Sequence, residues 1–255
     1  MAKLRFDLKS KEEIAGIRAA CEVVRVVLAE LGEAVRPGLA TVELDRLAES
    51  RTRAMGAAPA FLGYRGYPAS VCISVNDEIV HGIPSVTRIL KPGDIVGIDF
   101  GAVVGGFYGD AAISVGVGNI SPEAQRLLDV TRESLARAIQ AAQSGKRVGD
   151  IGAAVQSYVE AQGFSVVRDF VGHGIGRNLH EPPHVPNFGS RGTGDLLLPG
   201  MVLAIEPMVN AGAPETVLLG DGWTAVTADG ALSAHFEHTV VIMQGGPEIL
   251  TLPLG

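Results

Sequence analysis

Cysteine and tryptophan are scarce: two of the first, Cys21 and Cys72, and one of the second in 255 residues. Two thiols in a chain this long do not amount to a disulfide framework. The chain needs none, since its core can bury roughly 70–75% of the unfolded surface. A reducing cytoplasm is the expected compartment. No apolar run reaches the roughly 18 residues of a membrane-spanning helix. Lys3, Arg5 and Asp7 stand where a signal peptide needs an apolar core. Positive charge is in deficit, with 21 Lys and Arg against 28 Asp and Glu and a net charge of −7. That balance disfavours nucleic acid or an anionic membrane as partner; it suits a cationic group such as a peptide α-ammonium, and is first of all an ordinary solubility feature. Long charge blocks and low-complexity tracts are also missing.

Glycine, by contrast, is plentiful at 33 residues, so tight turns and close backbone approaches are expected. The order of elements runs twice. Apolar Ile14, Ile17, Ala20, Cys21, Val24 and Leu28 recur at three and four, which predicts a helix from Ser10 to about Ala34. Ser10 and Glu13 have the spacing of a capping box. After Pro37-Gly38, a second helix is expected over Thr41–Met55, with Thr41 as N-cap and Leu44 and Leu47 on its apolar face. Ser121-Pro122-Glu123 opens a third helix to about Ala142, since proline is favoured at the first helical position. A fourth runs from about Val148 to Gln162 and stops at Gly163. Leu90-Lys91-Pro92-Gly93 leads into the strand ending at Asp99, and Leu198-Pro199-Gly200 leads into the one ending at Glu206. A His followed by Pro lies upstream of each, at His81 and His180. Two such copies, about 10–118 and 119–245, imply a duplicated, pseudo-twofold α/β fold within a single domain over 1–255.

The strand ends carry the chemistry. An acid beside Ile95, Val96 and Ile98 is partly buried, and a buried lone carboxylate needs a partner charge, hydrogen bonds or a metal. Gly105-Gly106 reads as a hairpin turn, which would let Asp99 and Asp110 face each other. Glu206 takes the place of Asp99 in the second copy, and Glu237, in the β-favouring run Ala234–Val241, is its expected mate. His173 adds an imidazole between glycines. Four carboxylates and one imidazole suit Mn²⁺, Fe²⁺, Co²⁺ or Zn²⁺. Four acids exceed what one divalent ion balances, and two ions about 3.5–4 Å apart would match them. Gly172-x-Gly174-x-Gly176 lacks the spacing and the following helix of a dinucleotide-binding loop.

Six stretches together resemble the type I methionine aminopeptidases, from the first helix to Val241. They are Gly63–Pro68, Ser70–Asn76, His81–Pro84, Val171–Gly176, Ile205-Glu206-Pro207 and Phe236–Thr239. The resemblance implies the pita-bread fold, two pseudo-twofold halves with a curved antiparallel sheet covered by helices. It implies that Asp99, Asp110, His173, Glu206 and Glu237 bind two divalent ions, Asp110 and Glu237 bridging. His180 would stabilise the developing oxyanion, His81 would contact the scissile nitrogen or the second residue, and Glu206 would shuttle the proton. Phe61, Tyr64, Tyr67, Cys72, Leu179 and Trp223 would line the methionine pocket, Cys72 as a wall and not a nucleophile. Asn76 and Ser233 match positions that hold a monovalent cation.

The implied activity is removal of the initiator methionine from nascent proteins when the second residue is small. The implied setting is a monomer acting at the ribosome. Met1-Ala2 of the chain itself fits that substrate rule. Phe61, Leu179 and His235 depart from the family pattern, the last standing where Gln is frequent; none removes a ligand. An Xaa-Pro aminopeptidase or dipeptidase of the same fold is the nearest alternative, and usually carries a further N-terminal domain. A non-catalytic binding module of that fold is the other, and retention of all five ligands opposes it.

Overall fold

A computed structural model describes residues 6–252; Met1-Ala2 lies outside them. Helix α1 spans Lys11–Ala34, and its capping box forms: Glu13 N donates to Ser10 Oγ and Ser10 N to the Glu13 carboxylate. Helix α2 spans Thr41–Ala54, but its N-cap is Ala40. Thr41 fails as the cap because it is the first helical residue and is buried. Its hydroxyl instead pairs with the backbone of Ser85, accepting from the N–H at 2.9 Å. Helix α3 spans Pro122–Ala141 with Ser121 as N-cap, and α4 spans Val148–Ala161. Gly163 follows α4 at φ +79°, a left-handed turn that glycine takes without strain.

One curved sheet of nine antiparallel strands forms the centre. Its strands are β1 (Ala58–Pro59), β2 (Cys72–Val75), β3 (Ile95–Val104), β4 (Phe107–Gly116) and β5 (Gly172–Gly174). They continue as β6 (Glu181–Val185), β7 (Val202–Ile205), β8 (Glu237–Met243) and β9 (Gly246–Ile249). The order is β1-β3-β4-β8-β7-β5-β6, with β2 also on β3 and β9 also on β8. Two small sheets flank it, built from Glu78–Val80, Thr216–Leu218 and Ala225–Thr227, and from Ser165–Val166, Met208–Asn210 and Ser233–His235.

The core forms where apolar helix faces meet the sheet. Val24, Val27 and Leu31 of α1 and Leu44 of α2 join Ile73, Ile98 and Phe100 in one cluster. Leu127 and Leu128 of α3 and Val155 and Val159 of α4 join Leu203, Val240 and Ile242 in another. Side chains alternate along a strand, so Asp99 points away from the cluster that holds Ile98 and Phe100. Glycine permits a close approach of β4 to α1 at Gly109, where an added Cβ would come 2.7 Å from the backbone N of Cys21. Among the described residues no helix is long and apolar enough to cross a membrane.

Candidate metal centre and substrate cavity

Strand register brings the candidate ligands together. Residues opposite each other in neighbouring strands share a face. Cys72 opposes Asp99, Asp99 opposes Ala112, and Ala112 opposes Glu237. Ile205 opposes His238, so Glu206, one residue beyond β7, extends the same row. A second row lies two residues away on the same face. Gly101 opposes Asp110, Thr239 opposes Ala204, and Ala204 opposes His173. Thr239 joins the parts of this row: Asp110 N donates to its hydroxyl at 3.2 Å, and that hydroxyl donates to Asp110 O at 2.7 Å. Asp99 and Asp110 are therefore diagonal neighbours, not opposite ones. The turn at Gly105 and Gly106, both with positive φ, has two residues and fixes this register.

His173 reaches its place because both neighbours are glycine. A Cβ at Gly172 would stand 2.4 Å from Ala204 O, and one at Gly174 would stand 2.3 Å from Pro182 O. The His173 Nδ1 lies 2.9 Å from Gly174 O, and its Nε2 lies 3.5 Å from Glu206 Oε1. Asp110, His173 and Glu237 each offer a ligand atom, and these atoms lie within 4.8 Å of one another.

The electrostatics call for a cation. Burial raises Asp99 to about 7 and Asp110, Glu206 and Glu237 well above the ordinary carboxylate range; for the last three, repulsion among the acids adds to it. Burial also drives His173 down to about 3, so its imidazole is neutral and free to ligate. Asp99 Oδ1, Asp110 Oδ1 and Glu237 Oε1 are buried without a hydrogen-bond partner. Orphaned buried oxygens on three converging acids fit divalent cations.

Every residue assigned above to the divalent ions, catalysis or substrate lines one cavity of about 180 Å³. The acids and His173 form its floor. Phe61, Tyr67, Cys72 and Leu179 are buried in its wall, and Tyr64 and Trp223 are half-buried. Cys72 is a buried thiol raised well above its ordinary value, first by burial and then by Asp99. Tyr67 meets Trp223 edge-on at 5.1 Å, and its hydroxyl donates to Gly82 O at 2.9 Å, next to His81. His81 takes a left-handed φ of +61° and stands edge-on to Phe170 at 5.5 Å. His180 is exposed at the mouth, 4.1 Å from the His173 ring, and its Nδ1 lies 2.9 Å from the Tyr64 hydroxyl.

Arg65, Val80, Phe170 and Val171 also line the cavity, and none of them carried a site role in the sequence reading. Arg65 and Val171 lie inside two of the six stretches, and Val80 and Phe170 stand one residue before two of them, so extending those motifs by one residue finds them. Asn76 and Ser233 also meet, Ser233 N donating to Asn76 O at 2.8 Å. The Asn76 side chain is engaged with Asp94 and with Ile95 N.

The description of metallopeptidase family M24 matches residues 15–244. The chain belongs to that family. A methionine aminopeptidase from Clostridium perfringens is 56% identical to this M24 chain over 245 residues, covering 96% of it and 98% of the relative. The crystal structure of a methionine aminopeptidase from Thermotoga maritima superposes with a TM-score of 0.96 at 46% identity, covering 97% and 100% of the two chains. A prolidase from Pyrococcus furiosus shares the fold, with a TM-score of 0.80 at 24% identity over 98% of this chain and 66% of that one. The M24 architecture is the pita-bread fold, a curled antiparallel half-barrel with helices. Divalent metal use follows from the family and from the group Asp110, His173 and Glu237.

Proposed function

We propose that the chain is a metal-dependent aminopeptidase that removes the N-terminal methionine of nascent proteins when the second residue is small. The observation that carries the reading is one cavity with a floor of four acids and His173 and a wall of apolar side chains. Asp99, Asp110, His173, Glu206 and Glu237 would hold two divalent ions, with Asp110 and Glu237 shared between them. Mn²⁺, Fe²⁺, Co²⁺ and Zn²⁺ all suit these donors. The ions would supply Lewis acidity and an activated water. A monovalent cation near Asn76 and Ser233 is part of the same reading.

Glu206 accepts the proton of the attacking water and returns it to the leaving amine. Its Oε1 is within 3.5 Å of His173, at the edge of the donor set. His180 donates from Nε2 to the developing oxyanion, while Tyr64 holds Nδ1 and with it the ring orientation. His81, fixed between Phe170 and Trp223, positions the second residue of the peptide. Phe61, Tyr64, Tyr67, Cys72, Leu179 and Trp223 receive the methionine side chain. The chain acts as one catalytic unit of two related halves, as a cytoplasmic monomer on peptides emerging from the ribosome.

The test is hydrolysis of Met-Ala-Ser and Ala-Pro-Ala by metal-free protein titrated with each of the four ions. Metal-dependent cleavage of the Met peptide alone is expected. Cleavage of the Pro peptide alone would move the chain to the proline-specific branch. Cleavage of neither would favour a binding module.

A further inference from the structure

His235 stands beside the five candidate ligands with no role assigned to it. It is 3% exposed, and its Nε2 is buried without a hydrogen-bond partner. That nitrogen lies 3.9 Å from Glu206 Oε2 and 4.0 Å from Glu237 Oε2. Among the described residues, neither carboxylate accepts a hydrogen bond. The two oxygens of Glu206 are therefore divided, Oε1 toward His173 and Oε2 toward His235. The backbone of His235 is pinned on both sides by one hydroxyl: His235 N donates to Ser114 Oγ at 3.0 Å, and Ser114 Oγ donates to His235 O at 2.8 Å. His235 also opposes Met208 in the small sheet. Its ring is thus carried by a fixed strand, whereas a glutamate side chain can turn.

We propose that His235 is a positioning residue of the metal centre, donating its Nε2–H to Glu206 Oε2 and holding that carboxylate in its ligating orientation. The inference rests on reading Glu206 and Glu237 as metal ligands. An N–H···O bond needs about 2.7–3.2 Å, so the carboxylate must close roughly 1 Å, within reach of a small side-chain rotation. A buried donor with no other partner favours that closure. Ligating carboxylates held by such outer partners bind metal more tightly, and losing the partner costs roughly 10–100-fold in affinity.

The experiment is calorimetric titration of metal-free protein with Mn²⁺, for the wild type, His235→Ala and His235→Gln, with circular dichroism to check the fold. The glutamine amide can donate toward the same oxygen. The expected result is roughly 10–100-fold weaker binding by His235→Ala and near wild-type binding by His235→Gln. Unchanged binding by a folded His235→Ala would overturn the proposal. So would equal loss in both folded variants, which would point to the ring nitrogen ligating the metal directly. A wild type that binds no Mn²⁺ would overturn the metal reading beneath it.

Discussion

The floor and the mouth of the cavity are built by different means. The floor sits on central strands: Asp99, Asp110 and Glu237 lie within β3, β4 and β8, Asp99 paired on both sides, Asp110 with Gly101 and the Thr239 hydroxyl, and Glu237 with Ala112. The mouth is assembled from distant segments, with Tyr64 in a short 3₁₀ turn, His180 just before β6, and Trp223 in a loop beyond β7. Buried charge needs immobile support, because carboxylates that relax apart lose the cation they share. A side-chain pocket can be made by loops, since apolar contact tolerates small shifts. The acid floor thus belongs to the sheet, and the mouth, His180 included, to the connections.

The largest effect should come from the floor. Glu206→Gln should lower turnover of a Met-Ala peptide by about 10²–10⁴-fold with unchanged circular dichroism and melting. Near wild-type turnover would remove Glu206 from proton transfer. At the mouth, His180→Ala should lower kcat by about 10²–10³-fold with little change in melting temperature, and Tyr64→Phe should fall between it and wild type. If Tyr64→Phe matched His180→Ala in rate, the hydroxyl itself, and not its hold on Nδ1, would be at work.

Gly172→Ala tests whether the floor is as rigid as its ladders imply. The new methyl would sit 2.4 Å from Ala204 O, a backbone atom that cannot swing aside. Destabilisation of roughly 1–3 kcal/mol is expected, with weaker Mn²⁺ binding because His173 moves with its neighbour. Unchanged melting and metal affinity would show that β5 and β7 part freely.

The smallest effect concerns the thiols. Burial raises Cys21 to about 12 and Cys72 well above the ordinary 9.0. Iodoacetamide at pH 8 should leave both unlabelled in the folded protein and label both in urea. The folded chain keeps thiol protons that the unfolded chain releases. Their contribution to stability is complete below pH 9.0, and the share of Cys21 fades as pH climbs toward about 12. Rapid labelling of Cys72 in the native state would mean that the wall of the cavity opens.

Local patterns made much of this legible. The Ser10–Glu13 box, the proline at the start of α3 and the stop at Gly163 are read within a few residues, because caps and helix ends are local hydrogen-bonding problems. Thr41 misled because its hydroxyl is recruited by Ser85, 44 residues away. The Asp99–Asp110 pairing missed by two residues because exact register depends on where the turn closes.

Alternation along β3 determined that Asp99 faces away from the core, and the two glycines determined that β3 and β4 form a hairpin. Only the tertiary structure decided that Glu237 follows Ala112 in the same row and that His173 comes to rest beside Glu206. It also set Tyr64 against His180, 116 residues apart. The physical reason is that a strand's two-residue period assigns a side chain to a face but does not choose the neighbouring strand. That choice belongs to the joint burial of apolar faces under α1 to α4, a property of the whole chain.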